Sequence, residues 1–220
     1  KSVGGETVRI GSGAGTASDA VMANPRSGDN GKAFVRTASK RFSGVVNLMN
    51  NTMAVLVNDG SSQSIEETVK MTGMTFGLTG IVDWPIYKKL SFRGTLGYEP
   101  FKVSGTALRR SCAAISSTEC TADITYLSGG GYARLDFYQG QLLAWGALGA
   151  NIKFPLSKST TALSTSDIQM TSTYALAGGI DYFIDHKLFI PASLEYQMFL
   201  KSPTVDANIM MVRVGFGMAL

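Results

Sequence analysis

Three kinds of side chain here could do chemistry: one histidine, two cysteines, and charged residues set singly among small ones. His186 stands beside Asp185 between two apolar runs, the composition of a tight solvated turn and not of a ligand or general base. One His and two Cys fall short of a zinc site of ordinary composition. No serine occupies a Gly-x-Ser-x-Gly elbow. The glycine-rich run from Gly11 to Gly15 lacks the third glycine and the helix pattern of a dinucleotide loop. The expectation is therefore no catalytic residue, no metal, no cofactor, and no enzyme. Cys112 and Cys120, eight apart in a Ser/Thr/Ala-rich stretch, read as a disulfide formed in an oxidising compartment. No charged-then-apolar leader opens the chain, which is expected of an exported protein already processed.

The single charges need elements to hold them, and composition limits what those can be. Of 220 residues 45% are hydrophobic and only 16% charged, well below the usual quarter. The longest charge-free stretch, Phe137 to Ile152, is 16 residues with three glycines, too short and broken for a spanning helix. Residues 1–41 carry seven Lys/Arg against three acids and no sustained apolar period. They read as an irregular arm on the periplasmic side of whatever follows. The remainder holds 13 of each sign, so it offers no basic face and no nucleic-acid partner is expected.

From Phe42 onward apolar residues recur at every second position. Between Thr72 and Trp84 one face reads Thr72, Met74, Phe76, Leu78, Gly80, Val82 and Trp84, and the other is small or polar. Between Leu188 and Leu200, and again from Val212 to Leu220, the alternation repeats. Such runs are strands about twice the ordinary globular length. Eight are expected, at about 42–57, 68–84, 88–103, 122–138, 141–155, 167–184, 187–200 and 207–220. The first contains Asn50-Asn51, which could instead make a turn and split it in two; with one more strand from the arm the number would be ten. Short links such as Pro85-Ile86-Tyr87 and Asp185-His186 alternate with longer polar ones such as 104–121. Short turns at one end and loops at the other describe an antiparallel up-and-down meander.

Which face meets which solvent follows from the second face. It is Gly, Ala, Ser and Thr with isolated charges, which suits a narrow interior, whereas the continuous Leu/Val/Met/Phe stripe suits lipid. Aromatics gather near strand ends, with Trp84, Tyr87, Phe137 and Tyr182 at the short-turn end and Tyr98, Phe101, Tyr126 and Phe199 toward the other. Two such bands are expected at bilayer interfaces. The fold class is all-β, an eight-stranded antiparallel up-and-down transmembrane barrel over 42–220.

From Phe42 to Leu220 the chain resembles the small bacterial outer-membrane β-barrels of the OmpA/OmpX type, with the OmpW type a cousin. The most specific part is the closing strand, Met211-Val212-Arg213-Val214-Gly215-Phe216-Gly217-Met218-Ala219-Leu220. The resemblance implies a Gram-negative outer membrane, periplasmic termini and long extracellular loops. It also implies recognition of the last strand by the barrel-assembly machinery, which usually reads a terminal aromatic where Leu220 stands here.

Charges on the inward faces are Arg93, Glu99, Arg134, Asp136, Lys153, Asp181, Glu195 and Arg213. An eight-stranded lumen has little room for water, so they should pair, except that Glu99 and Asp181 are expected near the ends in solvent. Glu195 and Arg213 lie at similar distances from the Pro203-Thr204 link and should face each other at mid-height. Arg93 and Asp136, near the bases of neighbouring strands, form a second expected pair. Two functions follow. A closed, charge-paired barrel would display its loops to extracellular partners. An OmpW-like channel would admit a small apolar substrate from outside and release it sideways. The upper inward face discriminates: paired charges for the first, apolar lining from residues such as Tyr126, Tyr132, Trp145 and Phe199 for the second.

Overall fold

The computed structural model describes residues 39–58, 66–109, 112, 117–138, 140–166, 168–200 and 202–220, without the side chains of Asn58 and Tyr138. The expected arm lies outside the described residues apart from its last three.

Eight strands follow in order: β1 (Arg41–Asn58), β2 (Glu66–Tyr87), β3 (Leu90–Thr106), β4 (Glu119–Tyr138), β5 (Leu142–Thr160), β6 (Thr171–Phe183), β7 (Leu188–Phe199) and β8 (Val205–Ala219). Each pairs antiparallel with its neighbours in sequence, and β1 pairs with β8 to close the barrel. Closure leaves no free sheet edge, the condition for a sheet to cross hydrocarbon. Asn50-Asn51 makes no turn; β1 runs through it, and Asn51 is buried, donating from Nδ2 to the Thr75 hydroxyl at 3.0 Å. Strand one therefore counts once. The β2–β3 turn falls at Lys88-Lys89 and not at Pro85-Ile86-Tyr87, because Pro85 occupies a register shift inside the end of β2. In the β6–β7 turn the Asp185 carboxylate accepts the N–H groups of Leu188 and Lys187, both at 2.7 Å. Those bonds, that from Leu188 first, hold its pKa below the ordinary aspartate value.

The alternation sorts side chains inside out. Phe76 is 70% exposed, Leu148 65% and Phe216 74%, while Arg134, Lys153 and Asp181 are fully buried. A water-soluble domain rarely exposes a contiguous apolar patch above a few hundred Å²; here the apolar face encircles the barrel, as lipid contact requires. Trp84, Tyr87, Phe137 and Tyr182 all point outward at the short-turn end. At the other end Tyr98 points outward, but Phe101, Tyr126 and Phe199 turn inward and pack on one another, with Phe101 and Phe199 edge to face at 5.7 Å. At the base Phe183 and Phe189 stack with centroids 5.1 Å apart. Gly217 is required there, since a Cβ would lie 2.2 Å from the Phe189 ring.

Two strand pairs carry interrupted ladders. Between β2 and β3 a single pair, Thr72↔Ser104, stands apart from the ladder that begins, in the same register, at Leu78↔Tyr98, leaving five residues on each strand without a partner across this seam. Pro100 lies inside this gap. It has no N–H to give, and its carbonyl accepts from the Thr75 hydroxyl at 2.6 Å in place of a backbone donor. Between β7 and β8 a shorter gap, from Phe189↔Gly217 to Ala192↔Val214, surrounds Pro191.

Candidate functional site

The lumen is built in three layers, beginning at the short-turn end. The lowest is centred on Arg134 of β4. Its Nη1 lies 2.8 Å from Asp83, its Nε 2.9 Å from Asp136 and its Nη2 2.6 Å from Asp181. Arg93 grips Asp83 with two nitrogens at 2.7 and 2.9 Å. Arg41 reaches Asp136 at 3.4 Å and Asp181 at 3.6 Å. Trp145 donates its indole N–H to Asp181 at 3.1 Å, and the guanidinium of Arg93 lies 4.0 Å from its ring centroid. Three arginines meet three aspartates, so the layer is neutral, and each of its carboxylates accepts hydrogen bonds. Those are the conditions under which buried charges persist.

Five strands supply the second layer. Arg213 of β8 and Glu195 of β7 join through Nη1–Oε2 at 2.5 Å and Nη2–Oε1 at 3.2 Å. Glu195 Oε1 also accepts the Tyr132 hydroxyl at 2.8 Å and the Gln197 amide at 2.7 Å. Lys153 pairs with Glu99, whose other oxygen lies 3.9 Å from Arg213. Two cations and two anions again cancel.

Three sequence expectations are corrected here. Arg93 pairs with Asp83, its register partner on β2, and not with Asp136. Asp136 serves Arg134 and Arg41. Glu99 and Asp181 are not solvated strand ends; they are 2% and 0% exposed and ion-paired. The charge of Arg41, counted with the arm, belongs to the barrel. Asp83 and Arg41 are the two members that sequence reasoning missed. Asp83 could have been found, since it shares the inward face of β2 with Ile81 and Thr79. Arg41 had no such signal, because its strand begins with it.

Above the charges the lumen changes character. Met49, Met53, Met71, Met211, Phe101, Val103, Ile124, Tyr126 and Ile209 form one buried apolar layer, with Phe199 against it. Tyr132 and Trp145, expected among apolar lining, belong instead to the charge layers. Lys153 Nζ lies 5.9 and 5.8 Å from the Tyr126 and Phe199 rings and marks the boundary. Cys112 and Cys120 are disulfide-bonded, with Cα atoms 5.3 Å apart, and both are buried in this layer. Replacing both by serine should cost about 2–3 kcal/mol of loop order. Proteolysis should then cut faster within 104–121 while the barrel keeps its heat-modifiable gel shift. Loss of that shift would mean the bond supports the barrel itself.

No family model matches the sequence, and no curated protein is similar to it. Solved structures are. The outer membrane protein OprG from Pseudomonas aeruginosa aligns over 85% of this chain and 98% of its own at 13% identity, with a TM-score of 0.56. The chain has the fold of a small bacterial outer-membrane β-barrel. The outer membrane protein AlkL, solved in lipid bilayers, is similar over 89% of this chain and 97% of its own at 12% identity, TM-score 0.53. At such identities the likeness is one of fold, and the roles of the barrel's residues rest on their own geometry.

Proposed function

We propose that this barrel lies in a bacterial outer membrane with periplasmic termini. In this reading it carries small apolar molecules from its loop end into the membrane, releasing them sideways between β2 and β3. The observation that carries the proposal is the coincidence of two features at one height. The apolar layer rests on a neutral charge floor that an apolar molecule cannot cross without breaking buried ion pairs. Beside that layer the wall has its longest stretch without ladder pairing among the described strands, flanked by Phe101 and Val103 on β3. Four methionines line the layer, and their unbranched side chains can reshape around a guest. The charge floor would meanwhile keep the barrel closed to ions. The chain is read as a non-enzyme, since His186, the only histidine, belongs to the turn at the far end from this layer.

A staple across the gap tests this. The register places Met74 opposite Lys102, both outward, and both can become cysteine at the cost of one exposed Lys102–Asp123 pair. Cells carrying the barrel should take up an apolar dye such as N-phenylnaphthylamine several-fold faster than cells without it. Oxidising the Met74→Cys/Lys102→Cys variant should abolish that gain, and reduction should restore it. Unchanged uptake in the stapled protein would favour the closed barrel that acts through its loops.

A further inference from the structure

On the lipid-facing wall, near the short-turn end, the apolar belt is hollowed. Gly44 and Gly80, register partners on β1 and β2, and Gly94, diagonal to Gly80 on β3, form the floor of a groove of about 760 Å³, within the size range of small-molecule sites. Phe42, Phe92 and Phe216 rim it. These glycines answer no need of the fold. A Cβ at Gly44 would meet nothing within 4 Å, and the nearest atoms at Gly80 and Gly94 are 3.8 and 3.7 Å away. By contrast Gly73, Gly105 and Gly215 each face a backbone oxygen that a Cβ would strike. The hollow is therefore open to something outside the barrel.

The mouth of the groove indicates what. Lys40 precedes its Phe42 rim by two residues, and Lys187 precedes its Leu188 wall by one. Both flank the end of β8, where Lys187 accepts the Ala219 N–H and Lys40 that of Leu220. Lys40 Nζ stands 3.7 Å from the Trp84 ring centroid, which holds the ammonium at the interfacial level. Lys88 and Lys89 occupy the adjoining β2–β3 turn. Among the described residues at this end the exposed acidic side chain is Asp185, already engaged by backbone N–H groups. We propose that this groove holds an acyl chain of one anionic glycerophospholipid, its headgroup phosphate on Lys40 and Lys187.

Trp84 supplies the readout, because it faces lipid at the groove mouth while Trp145 is buried. The protein is reconstituted in phosphatidylcholine vesicles with a minor fraction of acyl-brominated lipid, either phosphatidylglycerol or phosphatidylcholine. Brominated phosphatidylglycerol should quench Trp84 as though enriched about fivefold for each lysine engaged. Two variants should each lower that ratio toward unity: Lys40→Gln/Lys187→Gln, which removes the charge, and Gly80→Leu, which fills the floor. The heat-modifiable gel shift verifies that each is folded. Equal quenching by the two lipids in the native barrel overturns the proposal, as does a preference that survives either variant.

Discussion

Arg134→Met should destabilise the refolded barrel by about 3–5 kcal/mol, the usual cost of stranding buried charge. Arg134 is fully buried and, among the described residues, is the one group hydrogen-bonded to all three aspartates of the lower layer. Its removal leaves Arg41 and Arg93 to balance Asp83, Asp136 and Asp181, one negative charge in excess in a buried site. Arg134→Lys should recover little. An ammonium is a single point of charge, whereas Nε, Nη1 and Nη2 each serve a different carboxylate. Urea titration of the barrel in detergent or vesicles measures both. A methionine variant within about 1 kcal/mol of the native protein would show that the layer is solvated and its pairs worth little.

The second large effect is a coupling. Glu195→Ala leaves Lys153 and Arg213 facing Glu99 alone, and Arg213→Ala leaves Glu99 and Glu195 facing Lys153 alone. Each single substitution should cost about 3–5 kcal/mol, and the double variant should recover part of the loss because it restores neutrality. Recovery stays incomplete, since Tyr132 and Gln197 lose their acceptor on Glu195. In planar bilayers the double variant should remain silent to ions, because the lower layer still closes the lumen. Strictly additive losses would mean the two residues do not act as a pair, and steady conductance would mean the Arg134 layer is no seal.

What could be read from the sequence is what a period of two encodes. Alternation at 72–84, 188–200 and 212–220 fixes which side chains share a face. A face of small residues with single charges can only be an interior when its opposite is continuous Leu, Met and Phe. Strand count, meander order and the outward positions of Trp84, Tyr87, Phe137 and Tyr182 follow from that local pattern and the turn chemistry between runs. The Glu195–Arg213 contact could be anticipated too, because both flank a single hairpin, although register sets Arg213 opposite Ser193 and its guanidinium reaches diagonally to Glu195.

Partners on strands that are not consecutive had no such handle. Arg41 meets Asp136 across 95 residues, and Arg134 meets Asp181 across 47, by reaching over the lumen. Their meeting depends on the stagger that closure imposes when β1 joins β8, a property of all eight strands together. Even between neighbours, height above the turn misassigned Arg93 to Asp136, because the β2–β3 turn lies at Lys88-Lys89 and brings Asp83 directly opposite Arg93. The division of the lumen into charged floor and apolar layer was likewise set by the tertiary structure. Alternation says that a residue points inward; only the closed, staggered barrel decides at what height it lies and which side chains share that height.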